Sequence, residues 1–493
     1  MKATRRWIIA LLAIVMALSM IACDSEKAPE STSGSTEQVT TQPNETVAIT
    51  EAVTQPEVKY DENGYLLDDL PDTLDFENES VTVLMWKEWV RYDFVVDENA
   101  TEWSQELLER QYEVEDRLNV SLKIEVEKGN WDNRAGFLAK VENDQMAFDK
   151  SSFDLIGTYT PTMANLATHG YMTNLNEVEY LTLDKPWWNQ QQIEASTING
   201  NLYFLTGDIT PTTLMTMWCV YGNESLLNSY GYTDLYEWVN NGEWTLEKMM
   251  QTALHNVENN GGKVDTYGIV IAPSAQDILA HGAGIFYIGR NDKNLYKFDD
   301  SLTNEKTPTF FALLQDLHHN YDNVEYDADS KIFCQGKSFF HIGQVGNMLN
   351  LKETDIEFIV LPMPKYDTAQ TEYYTTTGAW NTLFGLPTKV RAADMSGAIL
   401  EALASESHRS VIPVVFEECF TTRFVADPED SAMVRLVYNS LVYDPAHMYA
   451  EAFGTLPSSF KQVVDPTTSW TNIWNTHSAS WLLKIATINN TLK

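Results

Sequence analysis

Basic residues are scarce in this chain: 33 Lys and Arg stand against 70 Asp and Glu in 493 residues, a formal net charge of −37. A phosphate backbone selects clusters of Lys and Arg, so the balance argues against a nucleic-acid partner. Otherwise the acidity says only that the chain is self-repelling in solution. Cysteine is scarce as well. Cys23, Cys219, Cys334 and Cys419 form no CxxC or Cys/His spacing, which argues against a zinc site. The glycine-rich phosphate loops GxxxxGKS/T and GxGxxG are missing, and so are the GxSxG and HExxH signatures of hydrolases. His318 and His319 are adjacent, not at the i, i+4 spacing that sets two ligands on one helix face. No metal, cofactor or catalytic residue is expected. An acid pair at glycosidase separation is spatial information, which a sequence does not carry.

What is present starts with an N-terminal address. Lys2, Arg5 and Arg6 precede an apolar run over residues 7–22, the pattern of a secretory signal. The run is shorter than the ~20 residues of a membrane span, and no later segment reaches that length. It ends in LSMIA directly before Cys23, which resembles the lipobox of bacterial lipoproteins, with Met20 where Leu is commoner. The resemblance implies that residues 1–22 are a signal peptide and that Cys23 is lipidated, palmitate included. It places the protein, lipid-anchored, on the extracellular face of a bacterial cell membrane. Residues 24–55 are Ser, Thr, Glu, Gln and Pro with hardly any bulky apolar side chain, so 23–57 reads as lipidated cysteine plus disordered tether. Three cysteines then remain; mostly buried free thiols are expected, with one disulfide left open.

The rest is too long for one ordinary core, so two lobes or domains are expected. Fourteen Trp bring large contact faces with one polar handle, useful in cores and in ligand clefts. Residues 81–86, 121–127 and 153–157 read as strands, and 101–118 and 131–146 as helices, with Thr101 a candidate N-cap. Such alternation predicts an α/β lobe with a largely parallel sheet. Residues 207–223 (GDITPTTLMTMWCVYGN) open with turn formers and run into an apolar strand over 214–221, as a chain leaving one lobe for another would. A second set follows: helices near 224–230, 245–256 and 309–319, and strands at 267–272, 339–342, 356–361 and 382–386. Helices over 395–406, 431–438 and 478–488 complete it, with no internal repeat.

From residue 153 the order of motifs resembles the family 1 extracellular solute-binding proteins. FDLIGTYTPTMANLATHGYMTNLNEV, INGNLYFLTGDI and MWCVYGNESLL follow one another as strand and loop, turn, hairpin and crossover do in that family. Tyr221-Gly222-Asn223-Glu224-Ser225-Leu226 lacks the family's usual lysine. Asn241-Gly242-Glu243-Trp244-Thr245-Leu246-Glu247 is similar to its Trp-Thr helix start, with Thr245 as N-cap. Residues 333–340 (FCQGKSFF) and 359–364 (IVLPMP) match later motifs. The resemblance implies a two-lobed periplasmic-binding-protein-like α/β fold with interlobe hinge crossings and a ligand cleft. Lobe 1 would be 58–212 plus 376–425 and lobe 2 would be 213–375 plus 426–493. It also implies no catalysis, and delivery of a small solute, most often a sugar or oligosaccharide, to an ABC permease in the membrane by a monomer.

Candidate ligand contacts follow from this frame, because sites favour loops on both lobes. Trp86, Lys87, Glu88 and Trp89 leave the first strand and offer rings and charges to a sugar's C–H face and hydroxyls. Tyr159 and Thr160 occupy the second loop. Asp208 sits at the hinge, to accept hydroxyls or to fix a turn. Trp218 reads as core. In lobe 2, Gln344 and Asn347 follow a strand where the family's stacking aromatic is missing, and Trp380 and Asn381 put an aromatic beside an amide. Tyr373, Tyr374, Trp470 and Trp474 are further candidates. Two alternatives stay open: a surface glycoside hydrolase, and a polymer-retaining surface protein without an importer.

Overall fold

Alternating apolar strands and amphipathic helices close into two separate sheets. The computed structural model describes residues 59–492 apart from 97, 99, 255–258, 261–262, 265, 273–274, 322, 327–329 and 426. The readings of residues 1–22, of Cys23 and of the tether lie outside the described residues. In the first sheet β1 (Glu79–Trp86) lies between β2 (Val120–Glu127) and β3 (Leu155–Tyr159) and parallel to both; β13 (Thr382–Gly385) adds antiparallel to β3. Alternate residues of β1 feed two clusters, Val81, Val83 and Met85 one, Leu84 and Trp86 the other. A strand covered on both faces has no polar side, which is why it reads as a continuous apolar run.

Helix Ser104–Leu118 returns the chain from β1 to β2. It buries Leu107, Arg110, Val114 and Leu118 on one face and stops at Asn119 in the left-handed conformation, φ 49°. It begins at Ser104 rather than at Thr101, because the Ser104 hydroxyl accepts the Thr101 N–H at 2.6 Å. Thr160, expected in a loop, instead opens the helix Thr160–Thr168, where Pro161 suits a first turn. At Thr245 the expected cap is made, its hydroxyl accepting the Lys248 N–H at 3.1 Å.

The second sheet runs β10-β7-β11-β4-β12, from β4 (Trp218–Asn223), β7 (Tyr267–Ile271), β10 (Val324–Tyr326), β11 (Ser338–Gln344) and β12 (Phe358–Leu361). β7 is parallel to β10 and β11, while β4 is antiparallel to β11 and β12. Two short hairpins, β5 (Asn259–Asn260) with β6 (Lys263–Val264) and β8 (Ile288–Arg290) with β9 (Tyr296–Phe298), stand apart. The strand expected over 214–221 starts only at Trp218. Before it, Thr212–Thr216 forms a helical turn in which Thr216 Oγ1 donates to the Thr212 carbonyl at 2.8 Å.

Two passages between the sheets run side by side. Met217 pairs with Thr377, and Thr375 pairs in turn with Leu441; the Trp218 N–H donates to the Thr376 carbonyl at 3.2 Å and the Thr375 N–H to that of Ser440 at 2.8 Å. The wide-turned helix Pro413–Arg423 had no counterpart in the sequence reading, and the C-terminal helix Trp470–Thr491 is longer than its periodic core. Cys219, Cys334 and Cys419 are free thiols. No helix among the described residues is long and apolar enough to cross a membrane.

Arg110 shows how tightly these parts are tied. It is 1% exposed, donates to the Ile209 carbonyl and Ser407 Oγ at 2.9 Å each, and also to the Asp93 carbonyl. It therefore joins helix Ser104–Leu118 to the 207–210 turn and to helix Ala393–Arg409. Arg110→Met leaves three buried acceptors without a donor and should lower the unfolding free energy by about 3 kcal/mol or more. The midpoint of urea denaturation measures it, and an unchanged midpoint rejects the account.

Candidate functional site

The carboxyl ends of parallel strands are where open α/β sheets hold ligands. Here the ends of β3 (Tyr159), β7 (the following Ala272) and β11 (Gln344) border one cavity of about 570 Å³. That lies within the ~300–1,000 Å³ of small-molecule sites. Tyr159 comes from the first sheet, Trp218, His341 and Gln344 from the second, so the cavity lies between them.

Its walls are aromatic: Trp131, Tyr159, Trp218, Trp380 and Tyr443. Trp380 is half-buried and leans on three rings, with centroids 5.9 Å from Trp86, 6.0 Å from Trp89 and 5.7 Å from Tyr159. Behind it Trp86 and Trp89 stack at 6.1 Å, and the Trp86 indole donates to Thr382 Oγ1 at 3.0 Å. Each such ring pair contributes ~0.5–1.5 kcal/mol beyond area burial, enough to fix the Trp380 face. A Cβ at Gly378 would meet Gln344 Nε2 at 2.1 Å, so a side chain there would displace the Gln344 amide from the wall.

The polar part comes from helix Ala275–Gly282 and from residues 443–461. His281 Nε2 and Asp444 Oδ2 are 3.2 Å apart, both fully buried, and Asp444 also accepts the N–H groups of Tyr287 and Ala446 at 2.6 and 2.9 Å. Although burial opposes it, the His281 partner holds the Asp444 carboxyl below its usual range. Asp277 has lost its water without gaining a comparable partner, and burial pushes it up to about 6. Burial and the neighbouring His281 push His447 down to about 3. At the mouth, Arg134 stacks on the Trp131 ring at 3.7 Å and pairs with Glu451, which also accepts from Asn165 Nδ2 at 2.8 Å.

Of the expected contacts, Tyr159, Thr160, Gln344 and Trp380 border this cavity, and so does Asn347. Trp218, read as core, is buried and also forms part of the wall. The others are elsewhere. Trp86 is fully enclosed beneath Trp380, and Trp89 packs behind the same ring. Lys87 is exposed, and Glu88 accepts the Gly129 N–H at 3.0 Å. Asn381 is buried, its Oδ1 accepting from Thr213 Oγ1 at 2.9 Å. Asp208 borders a separate cavity of about 260 Å³ and meets His408 Nδ1 at 2.6 Å. Burial raises its carboxyl against the opposing effect of that histidine. Tyr373 hydrogen-bonds the Val239 carbonyl, Tyr374 packs on Phe286, Trp470 stacks on Phe460 and Trp474 packs on Phe298. Sequence reasoning missed Trp131, Asp277, Asp444, His447 and Glu451. Only Asp444-Pro445 carried a signal, that of a capped helix start.

No protein-family model matches the sequence and no curated protein matches it. Solved structures match in fold. An ABC substrate-binding protein from Listeria monocytogenes in complex with cycloalternan aligns with a TM-score of 0.54 at 12% identity, over 84% of this chain and 99% of that one. The maltose/maltodextrin-binding domain from Bdellovibrio bacteriovorus bound to maltotriose gives 0.53 at 10%, over 83% and 100%. A cyclo/maltodextrin-binding protein complexed with maltotetraose gives 0.55 at 14%, over 85% and 100%. The fold is thus the two-lobed periplasmic-binding-protein-like α/β architecture.

The buried histidine makes a testable difference to stability. His447 titrates near 3 when folded and ~6.5 when unfolded, so between those values the unfolded chain binds more protons. Stability is therefore lost as pH falls through that window. His447→Phe removes this loss: from pH 7 to 4 its urea midpoint should fall less steeply than that of the wild type. Parallel curves would refute the assignment.

Proposed function

We propose that this chain is the solute-binding component of an ABC importer and captures an oligosaccharide in the cavity between its sheets. The observation that carries this reading is the make-up of the wall. Five aromatic residues line it, and the lining residues include buried polar atoms, Trp218 Nε1 and Asp277 Oδ2 among them, without a hydrogen-bond partner among the described residues. An unpaired buried donor or acceptor costs ~1–3 kcal/mol. A solute rich in hydroxyls recovers that cost while its C–H faces lie on the rings. The saccharides named for the proteins of the same fold, cycloalternan, maltotriose and maltotetraose, support the same class here.

In this reading the lobes are 58–212 plus 376–425 and 213–375 plus 426–493, and the solute stabilises their closed arrangement. The ion pairs Arg134–Glu451 and Lys352–Glu102 then join opposite lobes and belong to the closed form. Lipid on Cys23 and the tether after it hold a monomer at the outer face of the membrane, within reach of the permease; two or more acyl chains make such anchoring stable. The chain acts by capture and not by turnover.

Thermal unfolding with maltotriose, maltotetraose and cycloalternan, beside peptides and polyamines, tests the reading. A saccharide at 100 times its Kd adds about 2.7 kcal/mol and raises Tm. Trp380→Ala should weaken that saccharide at least ~10-fold, as loss of a buried aromatic anchor does, while Trp474→Ala leaves it unchanged. No shift with any saccharide rejects the reading. Reducing ends released from the sugar, and lost on mutating one carboxylate, would identify a glycoside hydrolase instead; binding only to insoluble polymer would identify a retention protein.

A further inference from the structure

Asp277 borders the cavity at 2% exposure and is held from one side only. Its Oδ1 accepts from the Tyr287 hydroxyl at 2.5 Å and from the Phe460 N–H at 3.2 Å. Its Oδ2 has no hydrogen-bond partner among the described residues. The charged and titratable groups around it are engaged with one another. On its own helix, His281 uses Nδ1 on the Asp277 carbonyl at 2.8 Å and Nε2 on Asp444 at 3.2 Å. Asp444 is filled by that ring and by the Tyr287 and Ala446 amides. His447 lies ring to ring with His281 at 4.6 Å and with Tyr287 at 5.6 Å. Lys461, exposed on the stretch Leu456–Val464, acts on Asp277 through space. That leaves Asp277 Oδ2, almost wholly enclosed beside a ligand-sized space, as an acceptor lacking a donor among the described residues.

We infer that Asp277 is a specificity-determining residue, accepting a hydrogen bond from one hydroxyl or ammonium of the bound solute on Oδ2 while Tyr287 and Phe460 hold Oδ1. The inference rests on the oligosaccharide-capture reading and narrows it to a solute with a donor at this wall. An acceptor fixed through its other oxygen is preorganised, so little freedom remains to be lost on binding. A neutral saccharide brings a hydroxyl and an amino sugar an ammonium; the contact is the same, and the two are separated by which one binds.

The carboxyl titrates near 6, raised by burial against the opposing Tyr287, Lys461, His281 and Phe460 contributions. Above that pH it accepts; below it the group carries a proton where the solute's proton should go. Affinity for the solute should therefore fall as pH drops from 7.5 to 5.

Calorimetric titration of the wild-type chain with maltotriose, and in a parallel arm with the fully deacetylated glucosamine trimer, provides the test. With the probe that binds, Asp277→Asn should weaken affinity roughly 10- to 100-fold, the loss expected for a hydrogen bond to a charged group. It should also abolish the fall between pH 7.5 and 5, which a merely structural change would not do. Should that variant not fold, single-deoxy analogues of the probe keep the question answerable on the wild type: one of them must lose the same factor and the same pH dependence. A folded Asp277→Asn variant with wild-type affinity and pH profile overturns the inference, as does a full set of deoxy analogues that all keep the pH dependence. Failure of both probes to bind the wild type overturns this inference, and the oligosaccharide reading falls with it if maltotetraose and cycloalternan also fail to bind; binding indifferent to Asp277 sinks this inference alone.

Discussion

Asp93 is fully buried, and its two carboxylate oxygens accept from Thr210 Oγ1 at 2.5 Å and Thr382 Oγ1 at 2.9 Å. Thr382 in turn accepts the Trp86 indole and gives its own N–H to Thr212 Oγ1 at 2.9 Å. Next to it, Asn381 accepts from Thr213 Oγ1, and its carbonyl from Thr160 Oγ1 at 2.8 Å. One buried network thus ties together the loop after β1, the 206–213 turn, the start of β13 and the start of helix Thr160–Thr168. Burial raises the Asp93 carboxyl to about 7 against the pull of its hydroxyl donors and of Arg110. A group so poorly solvated must keep every partner it has, because each one lost leaves a buried polar atom unpaired.

The aromatic wall inherits its precision from this network. Trp380 precedes Asn381 directly, and the Trp86 ring it leans on is hydrogen-bonded to Thr382. Tyr159 is the last residue before Thr160, whose hydroxyl joins the same network. Shifting the 206–213 turn against β13 would break several of these bonds at once and release the rings together. On the capture reading, this makes the first sheet and its half of the wall a rigid anvil. Movement on closing then falls to the side that carries Asp277, Asp444 and Glu451, which meets the first half through the Arg134–Glu451 and Lys352–Glu102 pairs, the Asn165–Glu451 hydrogen bond and the packing of Tyr449 on Phe204.

The layout of sheets was legible because its signals are local: apolar runs for buried strands, a threonine cap at Thr245, turn formers at 207–211. Side-chain destinations were legible only where alternation could be followed. Trp86 shares its face of β1 with Leu84, so its burial was already contained in the period-2 pattern, and its place at the strand's end distracted from that. Asp208 turns to His408, two hundred residues away, and no local pattern announces such a partner. The acid and histidine cluster is hidden for the same reason. Its members sit on Ala275–Gly282 and on short helices over 445–453, too brief to show a period, and tertiary packing alone brings them to the cavity.

Two aspartates on one wall bear on what the cavity does. Carboxyls pushed to opposite sides of their usual range are the pattern of acid and base in hydrolytic sites, and Asp277 and Asp444 are shifted apart in that way. Their partners differ. Asp444 gives Oδ1 to the Ala446 amide and Oδ2 to both His281 and the Tyr287 amide. A base or nucleophile needs a lone pair facing the reacting atom, and this carboxylate has committed both oxygens to the protein. Asp277 keeps one oxygen without a partner among the described residues, and Glu451, a further carboxylate on the wall, is held by Arg134 and Asn165. On the capture reading, Asp277 would orient a solute while Asp444 stays committed to the protein.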